Sequence, residues 1–175
     1  MAEEERHTQS ITELRIPREK IAFLKRLAQE IEQRAKVKLE IGEDGSVRIR
    51  GDALSCWTVK HVVKALARGF AKEDAFLLFE EDKMLYVIPI AKERNKLVRI
   101  RARIIGTKGK MKKEIERITG CKLAIHGRTV SIIGSGVALE VARTAVEKLI
   151  HGASHSKVLS YLKRAKVEIE GDESF

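Results

Sequence analysis

Hydrophobic positions along the chain recur with a period of two in some stretches and near 3.6 in others, which separates strands from helices. Residues 11–16 alternate loosely at Ile11, Leu14 and Ile16 and predict a strand. Residues 18–35 predict a helix, with Ile21, Leu24, Leu27, Ala28 and Ile31 on one face. "VKLEI" (37–41) and "SVRIR" (46–50) alternate like paired strands, and Asp44-Gly45 between them is a hairpin signal. Residues 53–69 predict a helix with a broad apolar face of Leu54, Trp57, Val59, Val62, Val63 and Leu66. The order then returns: strand 84–90, a helix ending at Ile105, a glycine-bearing turn, helix 110–119, strands 121–125 and 129–133, helix 136–151. "AKEDAFLLFEED" (71–82) reads as a linker helix and "AKERNKL" (91–97) as a basic loop. Residues 154–170 predict a last helix, opened by Ser154 as a cap, with Val158, Leu159, Leu162 and Ala165 on one face. That helix suits packing on the second half, with partner binding as the other reading.

The recurrence is also visible residue by residue. Glu30-Ile31-Glu32 matches Glu114-Ile115-Glu116, and Lys38-Leu39-Glu40-Ile41 matches Lys122-Leu123-Ala124-Ile125, both at an offset of 84 residues. Ser46–Gly51 matches Thr129–Gly134 at an offset of 83. A register held over several elements with one slip indicates two copies of one supersecondary unit, of order β-α-α-β-β-α. Each copy is an antiparallel sheet with helices on one face, an α+β architecture. The copies differ at one place. "KRLAQEIE" follows Leu24 where "IGTKGKMKKEIE" follows Ile104, so the first lacks four residues, and these are the glycine turn.

Charge adds a direction to this picture. The formal net charge is +10, and residues 91–128 hold 13 Lys or Arg against 3 Asp or Glu, while the rest of the chain balances. All of the excess therefore surrounds the glycines, and a concentrated cationic patch attracts polyanions. Glycine has no Cβ, so it can take positive φ and let another backbone approach. A turn of exposed N–H groups at a helix start is an anion site.

Other chemistries fit poorly. "GTKGKM" lacks the spacing and the hydroxyl of a P-loop. Gly134-Ser135-Gly136 has Leu139 where a dinucleotide fingerprint needs its third glycine. His151 and His155 have no evident third ligand, so no metal is expected, and the scattered acids suggest neither catalysis nor a cofactor. Cys56 and Cys121 sit in apolar contexts and read as small buried thiols. No apolar run approaches the roughly 20 residues of a membrane span. The polar N-terminus is unlike a signal peptide, and a cytoplasmic location is expected.

Ile105-Gly106-Thr107-Lys108-Gly109, between two helices and followed by a strand pair and a helix, resembles the K-homology (KH) signature. From about residue 11 to 165 the chain resembles the archaeal two-KH ribosome-assembly family, related to eukaryotic "partner of Nob". The resemblance implies two tandem type I KH-like units, each with a three-stranded antiparallel sheet, plus a C-terminal helix. The expected division is a flexible N-terminus (1–10), a degenerate KH-like domain without the turn (11–82), a KH domain (83–153), and a C-terminal helix and tail (154–175).

It further implies binding of single-stranded RNA in the 3′ region of small-subunit ribosomal RNA precursor. A PIN-domain endonuclease and the alpha subunit of translation initiation factor two are implied partners. Backbone contact is assigned to Gly106, Thr107, Lys108 and Gly109, with Lys110, Lys112 and Lys113 at the start of the next helix. Arg99, Arg101 and Arg103 extend the basic track, although their i, i+2, i+4 spacing spreads them around a helix. Ile104, Ile105, Ile115, Leu123 and Ile125 supply either an apolar groove for bases or plain core. Arg128, in the loop from His126, meets a phosphate or a base, or is a solvated hairpin residue. With 5% aromatic residues and none near the turn, bases would be read by aliphatic and backbone contacts rather than stacking. The other class of function is a protein-binding scaffold built on the first unit and the last helix.

Overall fold

The computed structural model describes residues 9–172. Within them the chain forms two compact units. One takes the described residues up to Ala67 together with Ala71–Phe79, and the other takes Arg68–Phe70 and the described residues from Glu80 onward.

In the first unit β1 (Ser10–Arg15), β2 (Lys38–Ile41) and β3 (Ser46–Gly51) form an antiparallel sheet of order β1-β3-β2, with Leu14 opposite Val47 and Leu39 opposite Ile49. The turn joining β2 to β3 runs through Gly45, at φ +86°, and Asp44 Oδ1 accepts the Ser46 amide at 3.1 Å. This is the local Asp-Gly chemistry of a hairpin. Two helices, α1 (Ile21–Ala35) and α2 (Ala53–Ala67), bury Leu24, Ile31, Val59, Val62 and Leu66 with Val47 and Ile49 of β3. Asp52 precedes α2 and accepts the Ser55 amide at 2.9 Å, as an N-cap does. The expected linker helix over 71–82 is shorter: α3 (Lys72–Phe76) is followed by one 3-10 turn, Leu77–Phe79.

In the second unit β4 (Met84–Pro89), β5 (Lys122–His126) and β6 (Thr129–Gly134) repeat the arrangement in the order β4-β6-β5. Pro89 lies on edge strand β4, where its missing N–H costs no ladder bond on the open side. The helices are α4 (Arg94–Ile105), α5 (Lys110–Thr119), α6 (Gly136–Ile150) and α7 (His155–Asp172). The expected basic loop 91–97 is thus half helix, because α4 already starts at Arg94. Val158, Leu162, Ala165 and Ile169 of α7 enter one core with Ile100, Ile104, Ile115, Ile132, Val146 and Leu149. Ser154 Oγ accepts the Lys157 amide at 3.4 Å, at the cap position read from the pattern.

The units differ most between their first two strands. Residues 16–37, 22 in number, span β1 to β2, whereas residues 90–121, 32 in number, span β4 to β5. The shortfall over this whole span is ten residues: the four expected after Leu24, and six more before it. The turn is gone and so is most of the helix before it, of which the 3-10 turn Arg18–Lys20 stands in the place. "KRLAQEIE" contains no Gly or Pro and consists of residues that tolerate a helix well, so α1 runs on unbroken for 15 residues. Of the expected flexible residues 1–10, Ser10 opens β1 and residues 1–8 lie outside the described part, as do 173–175 of the expected tail.

Candidate nucleic-acid interface

The four residues 106–109 form a tight turn between the end of α4 and the start of α5. Gly106 adopts φ +72° and ψ 175°, and a Cβ there would stand 2.7 Å from the Met111 Cβ and 2.8 Å from its amide nitrogen. Only glycine fits. Lys108 (φ +53°) and Gly109 (φ +75°) continue in the left-handed region, so the chain reverses within one turn. The Gly106 amide donates to Ala102 O at 2.9 Å, the Gly109 amide to Gly106 O at 3.1 Å, and the Lys110 amide to Thr107 O. The amides of Thr107 and Lys108 follow at the head of the turn. They stand at the N-terminus of the ten-residue α5, where the helix dipole adds partial positive charge.

Side-chain charge reinforces this. Among the described residues Lys108, Lys110 and Lys113 are exposed and belong to no ion pair, and the same holds for Arg99 and Arg128. Arg101 is half-buried and likewise unpaired. The first unit is different: Arg15 meets Asp44 at 3.1 Å, Arg48 meets Glu13 at 2.7 Å, and Lys72 meets Glu30 at 2.8 Å. Several cations of the first unit are thus neutralised in place, whereas those three lysines of the turn are not.

Three expectations change here. Lys112 is not a free cation, since its Nζ lies 3.1 Å from Glu116 Oε1. Arg103 does not extend the track: its Nη2 donates to the Ala153 carbonyl, and its own carbonyl accepts from His155 Nε2 at 2.8 Å. It is a strut between α4 and the start of α7. The apolar groove of five residues is reduced to two. Ile104 and Ile115 are fully buried and Leu123 is 3% exposed, whereas Ile105, 36% exposed, and half-buried Ile125 reach the surface. The helix rotates about 100° per residue, so Ile104 points with Ile100 into the core and its neighbour points out. Arg128 sits exposed in the β5–β6 turn, where its carbonyl accepts the Ile90 amide at 2.8 Å.

A groove of about 400 Å³ beside the turn was not foreseen. Gly106, Thr107 and Lys110 line one side, and His155, Leu159 and Lys163 of α7 line the other. The i, i+4, i+8 spacing of those last three marks one helix face in the sequence, but nothing local says that it meets the turn.

Cys56 and Cys121 are buried free thiols, and burial pushes the Cys121 thiol up from its ordinary value. His151 Nδ1 lies 2.7 Å from the Glu147 carbonyl. Among the described residues no group of three or more His, Cys, Asp or Glu side chains is placed to hold a metal, and no helix is long and apolar enough to cross a membrane.

Comparison with known proteins places this geometry in context. Residues 83–167 match the model of the second KH domain of PNO1, described as a eukaryotic-type, type I KH domain. The KH domain-containing protein MJ0443 of Methanocaldococcus jannaschii is 36% identical over 173 residues, covering 92% of this chain and 76% of that protein. The RNA-binding protein PNO1 of Oryzias latipes is 32% identical over 108 residues, covering 58% of this chain and 44% of that protein. Among solved structures, the Dim2p chain of an a/eIF2alpha–aDim2p–rRNA complex from Pyrococcus horikoshii is 36% identical with TM-score 0.86, covering 94% of this chain and 98% of its own. A protein of unknown function from Aeropyrum pernix, APE0754, is 27% identical with TM-score 0.90, covering 95% of this chain and 96% of its own.

Proposed function

Because the chain belongs to the archaeal branch of the PNO1/Dim2 family of KH-domain proteins, we propose that it binds single-stranded RNA through its second unit, as a ribosome-assembly and rRNA-processing factor. The target we assign is the 3′ region of small-subunit rRNA or its precursor. The observation that carries this reading is the turn: a Gly-x-x-Gly bend at the start of a helix, with Lys108, Lys110 and Lys113 exposed around it and, among the described residues, in no ion pair. The Pyrococcus relative's presence in a complex with rRNA supports the substrate class.

The turn acts by close approach. Phosphates reach the Thr107 and Lys108 amides because Gly106 and Gly109 present no side chain there. Lys108, Lys110 and Lys113 raise the local RNA concentration and neutralise the strand. Ile105 and Ile125 offer aliphatic surface to unstacked bases, and Arg128 a charge at the hairpin tip. The first unit lacks the turn, and we assign it no part in the grip.

The test is a full-length Thr107→Asp/Lys108→Asp variant, with RNA affinity measured over a salt series. The glycines remain, so folding is expected to be intact. The wild-type log K falls with log salt at about −0.7 per phosphate engaged. Loss of affinity in the variant supports the reading, and unchanged affinity in a folded variant removes the turn from the mechanism.

A second reading, docking of a protein on the first unit, is favoured by Leu54 and Trp57 of α2, which are 73% and 51% exposed. The a/eIF2alpha partner of the Pyrococcus relative supports the alpha subunit of initiation factor two as that protein. A PIN-domain endonuclease belongs to the same proposal on the family resemblance alone.

A further inference from the structure

The groove beside the turn extends onto a helix outside the β-α-α-β-β-α unit. Lys163 faces the turn across it, from the same side of α7 as His155 and Leu159. One step around the helix, a second depression of about 380 Å³ is lined by Lys148, Lys157, Tyr161 and Arg164 with Ser156 and Ser160. Lys157, Lys163 and Arg164 are exposed, and among the described residues none of them has a carboxylate within ion-pair distance, although Lys163 is near enough to Glu114 to pull on its charge. Glu114, which also lines the groove, is held by Arg117 at 2.6 Å; that hydrogen bond, with weaker pulls from the Arg117 and Lys163 charges, keeps its carboxyl below the ordinary range.

The helix bearing these cations is fixed. Val158, Leu162, Ala165 and Ile169 are buried in the core of the unit, and Lys148 sits 5.2 Å from the Tyr161 ring. Arg103 and His155 bond across the junction in both directions, which ties the start of α7 to the platform that carries the turn. Free cations on a rigid surface that continues an anion-binding turn are placed for the same polyanion.

We propose that α7 is a second phosphate-contact surface for the RNA strand held at 106–109. Lys163 receives the strand from the turn, and Arg164 and Lys157 carry it over the outer face of the helix. This rests on the reading of the turn and adds that the footprint is longer than the four nucleotides a KH turn clamps.

The test compares full-length wild type, a Lys157→Gln/Lys163→Gln/Arg164→Gln variant and the Thr107→Asp/Lys108→Asp variant. Each is titrated with a single-stranded tetranucleotide and a 12-mer of RNA. All three α7 positions are solvent-exposed, so the fold is retained. The α7 variant is expected to lose no more than about twofold on the tetranucleotide. It should lose about tenfold or more on the 12-mer, with a salt slope shallower by about 2. An unchanged 12-mer affinity and slope overturns the inference and assigns those charges to another ligand such as an acidic protein surface. If the turn variant loses both RNAs in the same experiment, the turn reading stands regardless. If the turn variant keeps the 12-mer while the α7 variant loses it, the turn reading fails and the shared strand fails with it.

Discussion

Glu116 Oε1 accepts a hydrogen bond from the backbone amide of Leu123 at 2.8 Å, tying the end of α5 to the first rungs of β5. The first unit repeats it 84 residues earlier, where Glu32 Oε1 accepts from the Leu39 amide at 2.7 Å. In both, the acceptor lies one turn before the helix end, and the amide is one that the strand ladder leaves unused. The repeat is thus carried by a specific contact as well as by pattern.

Removing that acceptor leaves the amide of a buried residue unpaired. Glu116→Ala is expected to destabilise the second unit by about 1–3 kcal/mol, and Glu116→Gln by less, since its amide oxygen can still accept. Hydrogen exchange at the Leu123 amide checks the cause. Protection should fall in the alanine variant and largely survive in the glutamine one, and equal protection in all three forms would rule the contact out.

The two glycines of the turn are not equivalent. A Cβ at Gly106 collides with the Met111 backbone, whereas one at Gly109 meets only Lys113 Cε at 3.9 Å. Gly109→Ala is expected to cost about 1–2 kcal/mol, the price of a left-handed alanine. Gly106→Ala is expected to cost more and to displace the start of α5. Denaturant titration of both variants measures the difference, and equal costs would contradict the geometry.

Lys36 closes α1 in the left-handed conformation at φ +54°, and its counterpart Gly120 closes α5 at φ +71°. The first unit therefore carries a strained lysine where the second has the residue suited to the position. Lys36→Gly is expected to raise stability by about 0.5–1 kcal/mol, the relieved strain exceeding the added chain entropy. An unfolding midpoint that falls would contradict it.

Asp44 gives the hairpin an acid sensitivity. The Ser46 hydroxyl at 2.6 Å holds its carboxyl below the ordinary aspartate value of about 3.9, aided by the Ser46 amide and by Arg15. A depressed folded pKa contributes stability above the unfolded value, and that contribution disappears as pH falls through the folded one. A carboxyl titration followed by NMR should show a midpoint under 3.9 that rises in Ser46→Ala. The site is exposed, so the accompanying change in stability is small.

Much of this molecule is written locally in the chain. Strand alternation, the Asp44-Gly45 hairpin and the glycines at 106 and 109 are short-range features, and the strands of both units and the helices α1, α2, α5, α6 and α7 lie within a few residues of their expected places. The start of α4 was hidden because Arg94, Asn95 and Lys96 offer no apolar period, and the helix there is set by its later turns on the core. The apolar residues of the site were only half legible. The pattern marks Ile104, Ile105, Leu123 and Ile125 alike as apolar, and packing alone separates two that face inward from two that reach the surface.

What the order of residues settles is the unit, its duplication, the turn and the concentration of positive charge around it, because backbone conformation and periodicity act over a few neighbours. Which of those charges stay free is a matter of contacts between distant segments. Glu116 takes Lys112, and Ala153 and His155, some 50 residues along, take Arg103. Lys163 faces the turn only because four apolar side chains of α7 are drawn into a core built from α4, α5, α6 and β6.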